Sequence, residues 1–167
     1  MRFISRLALA LAVCGVATAA CAAPELCTPA RYTRGDQFIG YLDLDPEPLR
    51  MRVAGLQAPF KGYPYGPEAR ERLKALIDGV VLCDCPVRDR HRRQPCVVRT
   101  RGGEDVAEIM LREGLGCVES SHGVTVKGLN LRAYQAAQAE ARAARRGLWS
   151  EPNAACPHDM RRRLSTR

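Results

Sequence analysis

Leu49-Arg50-Met51-Arg52-Val53-Ala54-Gly55-Leu56-Gln57-Ala58-Pro59 is the stretch from which the fold can be read. Its first six residues, Leu49 to Ala54, have the composition of a short strand. A second such run, Phe38 to Leu42, lies just upstream. Between the two stands Asp43-Leu44-Asp45-Pro46-Glu47-Pro48, acidic turn material, so the pair reads as a hairpin.

Working downstream, Gly62-Tyr63-Pro64-Tyr65-Gly66 is a loop, and Pro67 occupies a first helical position, with Glu68 and Glu71 where a helix dipole favours negative charge. Ala69, Leu73, Leu76 and Ile77 recur at helical spacing, and Gly79 supplies a left-handed stop. Val80–Cys85 and Cys96–Thr100 read as strands around a loop, Pro86–Pro95, that holds four arginines and a histidine. A second helix carries Val106, Ile109, Met110 and Glu113 before Gly114, and a last strand is expected over Leu115–Val118. The third helix is expected from about Leu129 to Arg146, with Tyr134, Ala137, Ala141 and Ala144 on one face and Trp149 closing the core. This order is that of a five-stranded barrel of the oligonucleotide-binding type with three added helices, an α+β chain that is mainly β.

Upstream, Arg2 and Arg6 precede an apolar run from Leu7 to Ala20 that is too short to span a bilayer. With Ala20-Cys21-Ala22 as a cleavage pattern, residues 1–22 read as a signal peptide and the mature chain starts at Ala23. An alternative takes Thr18-Ala19-Ala20-Cys21 as a lipoprotein box with Cys21 acylated. Export of this kind leads to the periplasm. No later segment is apolar enough to cross a membrane. Loss of Arg2 and Arg6 lowers the formal charge of the chain from +8 to +6, a surplus that favours polyanionic partners without identifying one. The expected organisation is an N-terminal extension over 23–31, one domain over 32–150, and a basic tail over 151–167 that includes Arg161-Arg162-Arg163.

Six cysteines remain after cleavage: Cys27, Cys83, Cys85, Cys96, Cys117 and Cys156. An even number in an exported chain points to disulfides, and the single residue between Cys83 and Cys85 is too few for a zinc knuckle. Neighbouring strands lie within disulfide reach, so Cys96 is expected to meet Cys85 or Cys83. With Cys85–Cys96 as the first choice, order and spacing suggest Cys27–Cys83 near the amino terminus and Cys117–Cys156 tying the tail to the barrel. His91, His122 and His158 have no partner visible in sequence and read as surface histidines.

Six local signatures occur in one order: Arg34-Gly35-Asp36; Met51 to Pro59; Tyr65-Gly66-Pro67-Glu68-Ala69; Asp89-Arg90-His91-Arg92-Arg93; Leu111-Arg112-Glu113-Gly114-Leu115; and Arg145-Arg146-Gly147-Leu148-Trp149. On these the chain resembles the staphylococcal nuclease family over roughly Tyr32 to Trp149. Exported bacterial members of that family also carry cysteines on both sides of the basic loop, as Cys85 or Cys83 and Cys96 stand here. The resemblance implies calcium-assisted phosphodiester hydrolysis, in which carboxylates hold the cation, a glutamate activates water, and two arginines neutralise the phosphoryl oxygens. Asp36 matches the metal-binding aspartate, and Arg52 and Arg93 match the two arginines. Arg90 and Arg92 join Arg52 and Arg93 as candidate phosphate ligands.

Against the same pattern, Arg34 replaces the first carboxylate of Asp-Gly-Asp. Gln57 replaces the second metal aspartate, and Phe60 replaces the water-activating glutamate. Ser120 and His122 stand where the family has tyrosines that cover the nucleotide, which weakens stacking. A hard cation needs several oxygen ligands, so no cofactor is expected. Asp36 and Arg52 are then expected to form an ion pair. The leading expectation is an exported, catalytically impaired domain that binds nucleic acid or another phosphate-rich anion through a basic groove. The alternatives are an active calcium-dependent nuclease, with Glu25, Asp43 or Asp45 supplying a carboxylate, and a non-enzymatic envelope module with a protein partner.

Overall fold

The computed structural model describes residues 24–43, 45–85, 92–119 and 126–159. Five strands close a barrel in the order β1–β2–β3–β6–β5: β1 (Glu25–Arg34), β2 (Gln37–Leu42), β3 (Leu49–Val53), β5 (Val81–Asp84) and β6 (Gln94–Arg99). All neighbours are antiparallel except β3 and β6, which run parallel, with Met51 opposite Gln94 and Val53 opposite Cys96. Closure leaves no open sheet edge, the arrangement expected of this barrel type.

Alternation along the strands decides what each face carries. On β2, Phe38, Gly40 and Leu42 are buried while Ile39 and Tyr41 look outward. On β3, Leu49, Met51 and Val53 point into the barrel, and the two arginines between them, Arg50 and Arg52, point out. Phe38, Met51, Val53, Leu73, Met110 and Tyr134 are among the fully buried side chains of one continuous core.

Three helices cover the barrel: α1 (Gly66–Leu76), α2 (Val106–Arg112) and α3 (Leu131–Ala143). α1 buries Ala69 and Leu73, and Gly79 beyond its end has φ 80°, the left-handed geometry a glycine tolerates. Asp105 caps α2 by accepting from the amides of Ala107 and Glu108, and Asn130 caps α3 from Ala133. α3 is shorter at both ends than its periodicity suggested.

Three details differ from the sequence reading. Residues 25–31, within the segment expected to precede the domain, belong to β1, and Glu25, Leu26 and Cys27 pair with β5 to close the barrel. The strand expected over Leu115–Val118 is only β7 (Cys117–Val118), and it pairs outside the barrel with β4 (Leu56–Gln57). Trp149 is half-buried rather than in the core, stacked under the Arg142 guanidinium at 4.1 Å, and the neighbouring Leu148 is the buried residue.

Disulfides join Cys27 to Cys83, Cys85 to Cys96 and Cys117 to Cys156. The first spans the β1–β5 seam, the second links the end of β5 to β6, and the third fastens residue 156 to β7. Three such bonds suit an oxidising compartment. Among the described residues no helix is long and apolar enough to cross a membrane. Residues 1–23, including Cys21, lie outside the described residues, as do Arg90, His91, Ser120, His122 and Arg161–Arg163.

Candidate active site and arginine groove

The turn between β1 and β2 is Arg34-Gly35-Asp36, and its seat is made by a missing side chain. A Cβ on Gly35 would stand 2.5 Å from that of Ala69 and 2.8 Å from that of Ala58, so the turn can lie on α1 only with glycine there. That packing drives Asp36 inward until it is fully buried. A buried carboxylate needs partners. Asp36 has two: Arg34, with Nε 3.2 Å from Oδ1, and Arg52, with Nη2 3.4 Å from Oδ2.

Arg52 reaches Asp36 because β2 and β3 pair Gln37 with Arg52, and because the amide of Val53 donates to the Asp36 carbonyl at 3.0 Å. The same Nη2 also donates to Oε2 of Glu119. Glu119 follows β7 directly, and its amide donates to the Gly55 carbonyl at 2.9 Å, so the β4–β7 ribbon carries it onto the outer face of β3. Arg52 is thus buried beneath two carboxylates. Its Nε, also buried, makes no hydrogen bond.

Burial pushes the Asp36 carboxyl above its ordinary value of 3.8, and the nearby Glu119 charge pushes the same way, while Arg34 and Arg52 pull it back. The desolvation cost is the largest of these effects.

Arg34 is held from three sides. Besides Asp36, its Nη2 donates to the Ala58 carbonyl at 2.9 Å, and its guanidinium lies over the Phe60 ring at 4.2 Å. Phe60 itself leans on Tyr63, with ring centres 5.8 Å apart. Gln57 sits on β4 opposite Cys117. Where the family pattern places carboxylates at 34, 57 and 60, this chain has a cation, an amide and an aromatic ring.

The fit of a calcium ion can be judged from these donors. Both oxygens of Asp36 face guanidinium nitrogens, and Glu119 is bound to Arg52. Among the described residues no group of three or more His, Cys, Asp or Glu could hold a metal ion. A hard cation takes six or more oxygens, so the residues present do not fit it. The second carboxylate at Arg52 is Glu119. Asp45 accepts from the amide of Glu47 at 3.0 Å.

A groove of about 450 Å³ opens beside this network on the outer face of β1, β2 and β3. Arg31, Arg34, Arg50 and Arg93 line it, and none of its described lining residues is acidic. Arg93 therefore stands in the groove rather than on Asp36. Arg92, adjacent to it, is exposed with φ 58° and does not line the groove. The sequence reading missed Glu119, Arg31 and Arg50. The alternation Leu49-Arg50-Met51-Arg52-Val53 could have shown Arg50 as outward-facing. Nothing local marks Glu119, whose place follows from the β4–β7 pairing.

Comparison with known proteins gives one consistent result. The family model described as staphylococcal nuclease homologue matches residues 48–151. The chain is 34% identical over 133 residues to Protein ParB of Escherichia coli, covering 74% of this chain and 73% of that protein. It is 34% identical over 124 residues to a micrococcal nuclease of Shigella flexneri, covering 68% of each. It is also 34% identical over 112 residues to Endonuclease Htp3 of Saprolegnia parasitica, covering 61% of this chain and 53% of that protein. The chain spans about half the length of most of the relatives it matches.

Proposed function

The chain belongs to the staphylococcal nuclease family, and from that premise we propose that it is an exported member impaired in hydrolysis, which binds nucleic acid or another phosphate-rich anion through its arginine groove. The observation that carries this reading is the closed network of Arg34, Asp36, Arg52 and Glu119. Two cations and two anions there sum to zero, leaving neither a net negative charge to draw in a divalent cation nor a net positive one to draw in a phosphate. No general base stands at position 60, because a phenyl ring cannot accept a proton. The groove, by contrast, is lined by Arg31 and Arg50, which are exposed and have no acidic partner among the described residues.

The leader-like residues 1–22 and the three disulfides support export into the periplasm. Among the candidate phosphate ligands, Arg93 lies in the groove.

The test is direct. Purified protein incubated with denatured DNA and millimolar calcium is expected to leave the DNA intact, and to bind a labelled oligonucleotide with an affinity that falls as salt rises. Calcium-dependent cleavage at a rate above the no-enzyme control would overturn the impaired-nuclease reading. Glu119 favours one second reading, an active phosphodiesterase, because it brings a new carboxylate to Arg52. In that case Glu119→Gln would abolish the cleavage.

A further inference from the structure

The network and the groove divide the arginines into two groups. Arg34 and Arg52 are ion-paired with Asp36, and Arg52 also with Glu119, whereas Arg31 and Arg50 are exposed and have no acidic partner among the described residues. The strand register explains why. On the outer face two rows cross the sheet side by side. Gln37 stands opposite Arg52 in one row, whose Arg52 end Glu119 covers. In the other, Arg31 of β1 stands opposite Ile39 of β2, and Ile39 stands opposite Arg50 of β3. That second row is open and forms part of the groove.

We infer that the anion site of this chain lies at Arg31 and Arg50, on either side of Ile39, and that it grips the phosphodiester backbone of a single polynucleotide strand. The inference rests on the binding function proposed above and gives it a location. Two strand spacings separate the backbones of Arg31 and Arg50 by roughly 10 Å, so their guanidinium groups flank one phosphate across the low Ile39 side chain. Arg34 and Arg93 also line the groove. A groove of about 450 Å³ is the size of a pocket for a nucleotide or a short stretch of strand, and too small to take in a duplex. A phosphate approaching Arg52 would instead have to displace the Glu119 carboxylate from it.

The experiment follows the anisotropy of a labelled oligothymidylate across a salt series, with a duplex of equal length and inorganic phosphate as competitors. Arg31→Ala with Arg50→Ala changes two exposed side chains. It is expected to weaken binding at least tenfold at about 0.1 M salt and to flatten the log–log salt slope by about 0.7, the share of one neutralised phosphate on a single strand. Arg132→Ala, an exposed arginine of α3, is expected to bind within twofold of the unaltered chain. Unchanged binding by the double variant would overturn the site while the binding function stood. So would loss of binding in Arg52→Ala alone, which would return the phosphate to Arg52. A duplex that competes better than the single strand would overturn the ligand class. Failure of the unaltered chain to bind at any salt would sink both the site and the proposed function.

Discussion

The Arg34 guanidinium lies 4.2 Å from the centre of the Phe60 ring. Two positions at which this chain departs from the acidic pattern of its family are therefore in contact. The cation that replaces a carboxylate at 34 rests on the ring that replaces one at 60, and Asp36 and the Ala58 carbonyl hold its other edges. The two substitutions act as one unit, and reversing either alone leaves the other in place.

This makes a prediction about restoring the metal site. Phe60→Glu alone would set a carboxylate against Arg34, where it forms another ion pair. At a half-exposed position such a pair is worth about 1 kcal/mol or less. Isothermal titration is expected to show no calcium binding by that variant. Arg34→Asp, Gln57→Asp and Phe60→Glu together with the existing Asp36 would bring four carboxylates to the site, and calcium heat should then appear. Micromolar calcium binding by the single variant would show that Arg34 does not block the ion.

Glu119 and Asp36 share Nη2 of Arg52, and the Glu119 charge is one of the causes that raise the Asp36 carboxyl. Because burial raises the folded-state value of Asp36 above 3.8, the folded chain holds that proton more tightly than the unfolded chain. The stability this lends is complete below 3.8 and is lost as pH rises through the raised value. Glu119→Gln removes one of the charges that raise it. Asp36 should then titrate lower, as read from its carboxyl carbon resonance, and the loss with rising pH should shrink. The variant should also lose about 1 kcal/mol of stability, the worth of a hydrogen bond to a charged group at a partly exposed site. A carboxyl resonance that titrates identically in both proteins would mean that the two carboxylates do not interact.

Much of this architecture is legible in the sequence because it follows from local patterns. The alternation in Leu49–Val53, the Pro67 start of α1 and the glycine stops at 79 and 114 each act within a few residues, and the barrel order follows from them. What escaped depends on pairings between distant segments. Glu119 reaches Arg52 across 67 residues through the two-residue strands β4 and β7, too short to leave a periodic signal. The row of Arg31, Ile39 and Arg50 needs the register of three strands, and β1 has irregularities at Pro29–Arg31 and Tyr32–Arg34 that no pattern in the sequence announces. The extent of β1 escaped too, since Glu25–Cys27 pair with the distant β5, and Cys27 also with Leu42 of β2.

Tyr134 ties α3 to the start of α2. Its hydroxyl donates to Oδ2 of Asp105 at 2.7 Å, while Oδ1 of the same carboxylate accepts from the amides of Ala107 and Glu108. Burial, with the Asp105 charge beside it, pushes the phenol far above its usual range, so it stays a donor at any pH the fold survives. Tyr134→Phe keeps the ring and removes the donor. The expected cost is about 2 kcal/mol, the range for a hydrogen bond to a charged group, measured by urea denaturation. A loss well under 0.5 kcal/mol would mean that solvent replaces the hydroxyl, against the complete burial of this residue.

The disulfides offer the sharpest test of how the barrel is closed. Cys27–Cys83 joins residues 56 apart, at the β1–β5 seam where Cys27 also faces Val81 in the register. Cys85–Cys96 joins residues only 11 apart, at the end of the neighbouring β5–β6 pair. A crosslink that closes the longer loop restricts the unfolded chain more, so removing the first should cost about 4 kcal/mol and removing the second about 3 kcal/mol. Both sulfurs of the first bond are buried, which adds a cavity cost on the same side of the comparison. Cys27→Ala with Cys83→Ala is therefore expected to have the lower urea midpoint of the two paired variants. It should also exchange the β1 amides near Glu25–Cys27 faster, because that bond pins them to β5 at this end of the strand. The reverse order of midpoints, with β1 amides still protected, would show that β1 closes the barrel through its backbone pairing alone.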